Sequence, residues 1–140
     1  MSADGVRLPV SLARVREASE RTLKSERVKD ALVSIAFVTD RRMAALNRAH
    51  LQHSGTTDVI SFGFAPTAGS GLVGDIYISP TVARRNAIAH GERIRDELLR
   101  LVVHGTLHVI GYEHPEGDDR YASPMWKRQE RVMSALARAT

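Results

Sequence analysis

The sequence predicts one small α/β (or α+β) domain, and three observations point to it. Short runs of β-branched and apolar residues alternate with segments whose apolar residues recur at helical spacing, giving three or four strands interspersed with helices. The chain has 140 residues, one domain's worth of sequence, so the predicted domain runs over 1–140. Its hydrophobic fraction is 43% and its charged fraction 26%, a balance that excludes a disordered or fibrous chain and lets a core form without staples. There are no cysteines, which excludes disulfides, iron–sulfur clusters, cysteine-ligated zinc and a thiol nucleophile.

Each element has its own signal. In residues 11–25, Leu12, Val15, Ala18 and Leu23 recur at near-helical spacing among Arg and Glu, an amphipathic helix. Residues 32–39 (LVSIAFVT) suit a strand. Asp40 can cap the next helix, which runs through Met43, Ala44 and Leu46. Residues 50–57 (HLQHSGTT) read as a polar loop, 59–64 (VISFGF) as a second strand and 65–71 (APTAGSG) as another loop. A third strand over 72–79 is interrupted by Gly74-Asp75, and Pro80-Thr81 open a helix that reaches His90. Residues 93–110 form a long helix with the densest apolar face. After a polar loop over 115–123, Pro124 starts a last helix with Trp126, Val132, Met133 and Leu136 as its expected buried face.

The basic residues number 20 against 16 acidic ones, for a net charge of +4. Of the 20, 17 are Arg and 3 are Lys, so codon bias accounts for much of the excess. A basic surface also concentrates phosphate-bearing partners. Residues 1–10 lack the charged start and apolar run of a targeting signal. The apolar stretch 98–110 is broken by Arg100, His104 and His108, too short and polar for a bilayer. The expected location is the cytoplasm, with no membrane partner.

The chemistry concentrates at the end of the long helix, His104-Gly-Thr-Leu-His108-Val-Ile-Gly111-Tyr-Glu-His114. His104 and His108 differ by roughly 40° around a helix and stand on one face, where they can grip one metal ion. Gly111 can end the helix, and Pro115 biases His114 towards an extended conformation, so the chain can return a third imidazole from a loop. Three neutral imidazoles leave one position open, the arrangement of a catalytic zinc site. Chance also places two histidines four apart in a chain with six. Here they lie in the most apolar helix, where an unpartnered imidazole is costly to bury. His50, His53 and His90 lack such a pattern and read as loop or helix-end residues. The spacing also matches the zinc helix of metzincin peptidases, except that their general-base Glu is replaced by Gly105.

These residues resemble the YbeY family of endoribonucleases. The family's His-Gly-x-Leu-His-Leu-x-Gly-Tyr-Asp-His is present as residues 104–114, with Val109 and Glu113 as mild departures. Thr57-Asp58-Val59-Ile60-Ser61-Phe62, with Leu46-Asn47 before it, is similar to a second family segment. Gly74-Asp75-Ile76-Tyr77-Ile78-Ser79 resembles the family's Gly-Asp-Ile strand, and Glu97 falls where the family places an acid. The resemblance implies a mixed sheet of about four strands flanked by helices, with a zincin-like metal helix. It implies one Zn2+ on His104, His108 and His114. It further implies single-strand-specific RNA hydrolysis in ribosomal RNA maturation and ribosome quality control, with the small ribosomal subunit and ribosome-associated proteins as partners. One departure stands out: the family's Arg, thought to serve RNA binding or charge stabilisation, is Leu51 here, while Arg48 lies three residues earlier.

Around the metal, Asp75 and Glu97 are candidates to orient the ligands, since a metal-bound imidazole usually donates its other N–H to a carboxylate or carbonyl. Equally, Asp75 can serve only the Gly74 bend, and Glu97 can pair with Arg93 or Arg100. The nucleophile is expected to be a water activated by the metal. Arg48, Asp58 and Glu113 are the candidate catalytic side chains, with Asp119 as another possible base and Asp58 alternatively a turn cap. Ser54, Thr56, Thr57 and Ser61 can donate to phosphate oxygens. Arg41, Arg42, Arg84, Arg85 and Arg128 are either a track for RNA or ordinary solvated positions. Aromatic residues are 5% of the chain, so extensive base stacking is not expected. Two alternatives remain: a zinc-stabilised ribosome assembly factor with weak or no catalysis, favoured by Leu51, and a metzincin-like peptidase, disfavoured by Gly105.

Overall fold

A computed structural model describes residues 2–3, 8–51, 59–64, 71–112 and 121–138. Strand β1 (Ser2–Ala3) is followed by helix α1 (Leu12–Ser25), strand β2 (Ala31–Phe37) and helix α2 (Asp40–Leu46). A π-helical turn (Asn47–Leu51) extends α2. Then come β3 (Val59–Phe64), β4 (Leu72–Ile78), α3 (Pro80–Ala89), α4 (Ile94–Ile110) and α5 (Pro124–Arg138). The three longer strands and all five helices fall where the sequence places them, within a residue or two. The two-residue β1 is too short to leave a pattern, and the π-turn occupies the start of the expected 50–57 loop.

Among the described residues the sheet has the order β1-β2-β4-β3. β1 and β4 run parallel to β2, and β3 runs antiparallel to β4, so the sheet is mixed. Strand alternation divides it into two faces. Ile35, Phe37, Ile76 and Ile78 point into the main core with Val15, Ala18, Ala83, Met125, Val132, Leu136 and the apolar residues of α4. Ala36, Ile60, Phe62 and Tyr77 point the other way, onto Met43 and Leu46 of α2.

α4 is the central helix. Leu98, Leu99, Leu101, Val102, Val103, Gly105, Thr106, Leu107 and Val109 are all buried, an apolar surface too wide for one neighbour. Its last turn lies against bare backbone. Gly63 and Gly74 face each other across β3 and β4. A Cβ on Gly63 would stand 2.5 Å from the Val109 carbonyl oxygen, and one on Gly74 would run into the Val109 side chain. This close approach is what Gly74 is for; the strand continues through it unbroken.

Polar contacts fix the remaining elements. Ser11 caps α1 by accepting the Arg14 N–H at 3.1 Å. Ser19 and Thr22, rather than Leu12 and Leu23, complete the buried face of α1. Thr106 donates to the Val102 carbonyl at 2.7 Å, so Ser19 donates to Thr106 at 3.0 Å across the α1–α4 contact. α2 is capped by Thr39 rather than Asp40: the Thr39 hydroxyl accepts the Arg42 N–H. The Asp40 carboxylate instead accepts from Ser79 and Arg85, joining α2 to α3. On α5 the buried face is Met125, Gln129, Val132 and Leu136. Trp126 is rotated one position off it and packs edge-on against Tyr121, while Met133 is half-buried. Among the described residues, no helix is long and apolar enough to cross a membrane.

Candidate metal centre

The C-terminal half of α4 presents His104 and His108 on one face, both half-buried. Their Nε2 atoms are 3.1 Å apart. Each ring is held from behind through Nδ1. His108 Nδ1 lies 2.8 Å from the Tyr112 carbonyl oxygen, and His104 Nδ1 lies 2.7 Å from Gln129 Oε1. Carbonyl oxygens only accept, so both Nδ1 atoms carry protons. In a neutral imidazole the other nitrogen then carries a lone pair. Two such lone pairs at 3.1 Å call for a cation between them, a shared proton or a metal ion.

The chain past α4 is shaped to supply one of those carbonyls. Gly111 adopts φ 125°, a conformation that favours glycine. Its N–H donates to the His108 carbonyl, and the Tyr112 N–H reaches back to Leu107 at 3.0 Å, a Schellman ending. The Tyr112 carbonyl thereby comes to lie against His108. The Tyr112 phenol donates to Glu26 at 2.6 Å, and Arg128 of α5 donates to the same carboxylate at 3.3 Å. The bond to Glu26, with burial and the Glu26 charge behind it, raises the phenol's pKa from 10.0 despite the opposing charge of Arg128.

The Gln129 side is built from charges. Arg100, one turn before His104, grips Glu130 at 3.0 and 3.2 Å and Glu92 at 2.7 Å. Burial works against the Arg100 charge, but the Glu130 hydrogen bond and the charges of Glu130, Glu92 and Glu97 outweigh it, so its pKa is raised. Gln129 is buried and donates its amide N–H to Glu130 at 3.0 Å.

The family model for Endoribonuclease YbeY matches residues 7–137. The chain belongs to the YbeY family. The Endoribonuclease YbeY of Anaeromyxobacter dehalogenans is 40% identical over 120 residues, which are 85% of this chain and 61% of that protein. That of Chloroherpeton thalassium is 32% identical over 123 residues, 88% of this chain and 84% of that one. The chain thus spans about three fifths of the first relative's length and most of the second's. The solution structure of TM1509 from Thermotoga maritima shares the fold, with a TM-score of 0.62 at 22% identity over 96% of this chain and 87% of that one.

Within this YbeY fold the expected site residues separate. His104 and His108 come together. Asp58, Glu113, His114 and Asp119 lie outside the described residues, as do Ser54, Thr56 and Thr57. Among the described residues no third His, Cys, Asp or Glu joins the pair. Asp75 does not orient either histidine. Gly74 faces Val109 of α4, so by strand alternation Asp75 points to the opposite side of the sheet, where it is exposed. Glu97 lies 3.9 Å from Arg100, and the Nδ1 protons go instead to Gln129 and the Tyr112 carbonyl. Arg48 is exposed on the π-turn that continues α2, and α2 packs on the sheet face opposite α4. A π-turn closes over five residues, so Arg48 does not stand one turn above Leu51. Arg85 and Arg128 are engaged with Asp40 and Glu26, while Arg41, Arg42 and Arg84 are exposed. His90 ends α3 with its Nδ1 2.8 Å from the Asn86 carbonyl.

The histidine pair fits zinc. Tetrahedral coordination with ordinary zinc–imidazole lengths separates two nitrogens by about 3.3 Å, close to the observed Nε2 spacing. Both rings also have the hydrogen-bonded rear nitrogen typical of metal-binding imidazoles. Gly105 bears on the peptidase alternative: a Cβ there would lie 2.8 Å from Ile76 Cγ2, so the position has no room for a general-base side chain.

Sequence reasoning missed Gln129, Tyr112 and the Arg100–Glu130 pair. A signal for Gln129 was present: a polar residue in register with Met125, Val132 and Leu136 on the apolar face of α5.

Proposed function

We propose that this chain is a zinc-dependent endoribonuclease that hydrolyses single-stranded RNA in ribosomal RNA maturation and ribosome quality control. The observation that carries the reading is the pair of Nε2 lone pairs converging at 3.1 Å with both Nδ1 protons committed elsewhere. Membership of the YbeY family supports the RNA substrate. His104, His108 and His114 would hold one Zn2+. Bound zinc lowers the pKa of water and polarises a phosphoryl oxygen.

The protein's own groups do the rest. Gln129 and the Tyr112 carbonyl hold the two rings in their donor form. Asp58 and Glu113 are the candidate proton acceptors; Arg48, on the α2 side of the sheet, is set aside as the group that stabilises phosphoryl charge at the histidine pair. The proposed partners are ribosomal RNA, the small ribosomal subunit and ribosome-associated proteins, in the cytoplasm. A second reading, a ribosome assembly factor that keeps the metal and has lost the chemistry, is favoured by Leu51 at the family's Arg position.

The test incubates zinc-loaded protein with small-subunit ribosomal RNA, beside His108→Ala and a chelator control. Cleavage that vanishes in both controls is expected. Zinc confirmed bound with no cleavage overturns the nuclease reading in favour of the assembly factor. Zinc retained tightly by His108→Ala overturns the ligand assignment.

A further inference from the structure

The rear of the histidine pair is held largely by three consecutive residues of α5. Arg128 grips Glu26, which holds the Tyr112 phenol, and the Tyr112 carbonyl accepts from His108. Gln129 accepts from His104, and Glu130 accepts from Gln129 and Arg100. The Gln129 branch makes a closed circuit: Arg100 of α4, Glu130 and Gln129 of α5, then His104 one turn past Arg100.

A glutamine amide has an acceptor end and a donor end, and nothing in its shape says which faces an imidazole. Here charge decides. The Glu130 carboxylate can only accept, so it draws the amide N–H, and Arg100 fixes that carboxylate with two hydrogen bonds. The amide oxygen must then face His104. A reversed amide would set its oxygen against the Glu130 carboxylate oxygen, leaving the buried amide oxygen of Gln129 without a donor. With the oxygen fixed, His104 carries its proton on Nδ1 and presents a lone pair on Nε2. His108 reaches the same state through a backbone carbonyl, whose polarity needs no fixing.

We propose that Gln129 is the positioning residue that sets His104 in its metal-binding tautomer, with the Arg100–Glu130 ion pair setting the polarity of the Gln129 amide. The inference builds on the metal centre proposed above, but its first readout needs no metal.

The experiment compares the whole chain with Gln129→Met, which keeps the bulk and removes the acceptor. A second variant exchanges the neighbours, Gln129→Glu with Glu130→Gln, which keeps net charge and restores an acceptor facing His104. Val132→Ala, on the same buried face of α5 and outside the circuit, controls for lost packing. In metal-free protein above pH 8, nitrogen-15 NMR of the His104 ring should report the Nδ1–H tautomer in the parent, in the exchanged pair and in Val132→Ala, and its loss in Gln129→Met. Competition with a chelator should show zinc affinity about 10- to 100-fold weaker in Gln129→Met, with the exchanged pair and Val132→Ala near the parent. The proposal is overturned if Gln129→Met keeps both the tautomer and the affinity. It is also overturned if Val132→Ala weakens zinc as much as Gln129→Met does while every variant keeps the tautomer, or if the exchanged pair fails to regain the tautomer. A parent chain that binds no zinc removes the metal centre, and the NMR result alone then decides the role of Gln129.

Discussion

His104 and His108 were legible because the helical repeat alone brings residues four apart to one face. Gly111 was legible because a helix that must turn back after its last ligand calls for glycine. The partners of the two rings were not, since a carboxylate is the intuitive mate for an imidazole and the sequence offers Asp75 and Glu97 nearby. Strand alternation sends Asp75 to the wrong side of the sheet, and Glu97 lies beside Arg100 rather than behind either ring. The mates are instead an amide and a main-chain carbonyl, which no residue type advertises. Two glycines give tests at this scale. Gly105→Ala puts a methyl against Ile76 and should cost about 1–3 kcal/mol, read as a lower urea midpoint at unchanged slope. Gly111→Ala forces a side chain into φ 125° and should cost about 1–3 kcal/mol. Unlike Gly105→Ala, it should also weaken zinc binding in a chelator competition, because the Tyr112 carbonyl loses its place behind His108.

The strands and helices followed from periodicity, capping residues and proline, signals confined to a few neighbouring positions. What escaped was the partner each element meets. α5 reads as an amphipathic helix with Trp126 inward, yet its inward row is set one residue away by Met125 and Gln129. The junction of α1, α4 and α5 through Glu26, Tyr112 and Arg128 spans more than a hundred residues of sequence and leaves no local trace. Tyr112→Phe removes the donor that Glu26 holds at 2.6 Å and should cost about 1.5–3 kcal/mol in chemical denaturation. The same contact fixes a pH dependence. The folded phenol keeps its proton above the unfolded value of 10.0. Above that pH the folded state binds more protons than the unfolded one, so stability falls as pH rises. Stability measured from pH 9 upward should decline in the parent, and the Tyr112 share of that decline should be missing in Tyr112→Phe.

For the molecule as a whole, a ligand that binds only the folded chain adds its binding energy to stability. Zinc at a hundred times its dissociation constant should add about 2.7 kcal/mol. The rise should appear in thermal melts of the parent and be absent in His108→Ala. The α/β class was legible from interspersed strands and helices and the mixed sheet only from the family resemblance; the fold puts α4 between β3 and β4 on one side and α1, α3 and α5 on the others. Helices so enclosed exchange their amide hydrogens only when the entire fold opens. The peptide groups around Leu101–Leu107 therefore belong to the slowest-exchanging set, and the two imidazoles ride on it. Opening of the α4 backbone beneath His104 therefore requires the rest of the fold to open with it. The backbone that carries His104 is then as durable as the native state itself, and any change that erodes global stability raises the fraction of chains in which the site is not assembled.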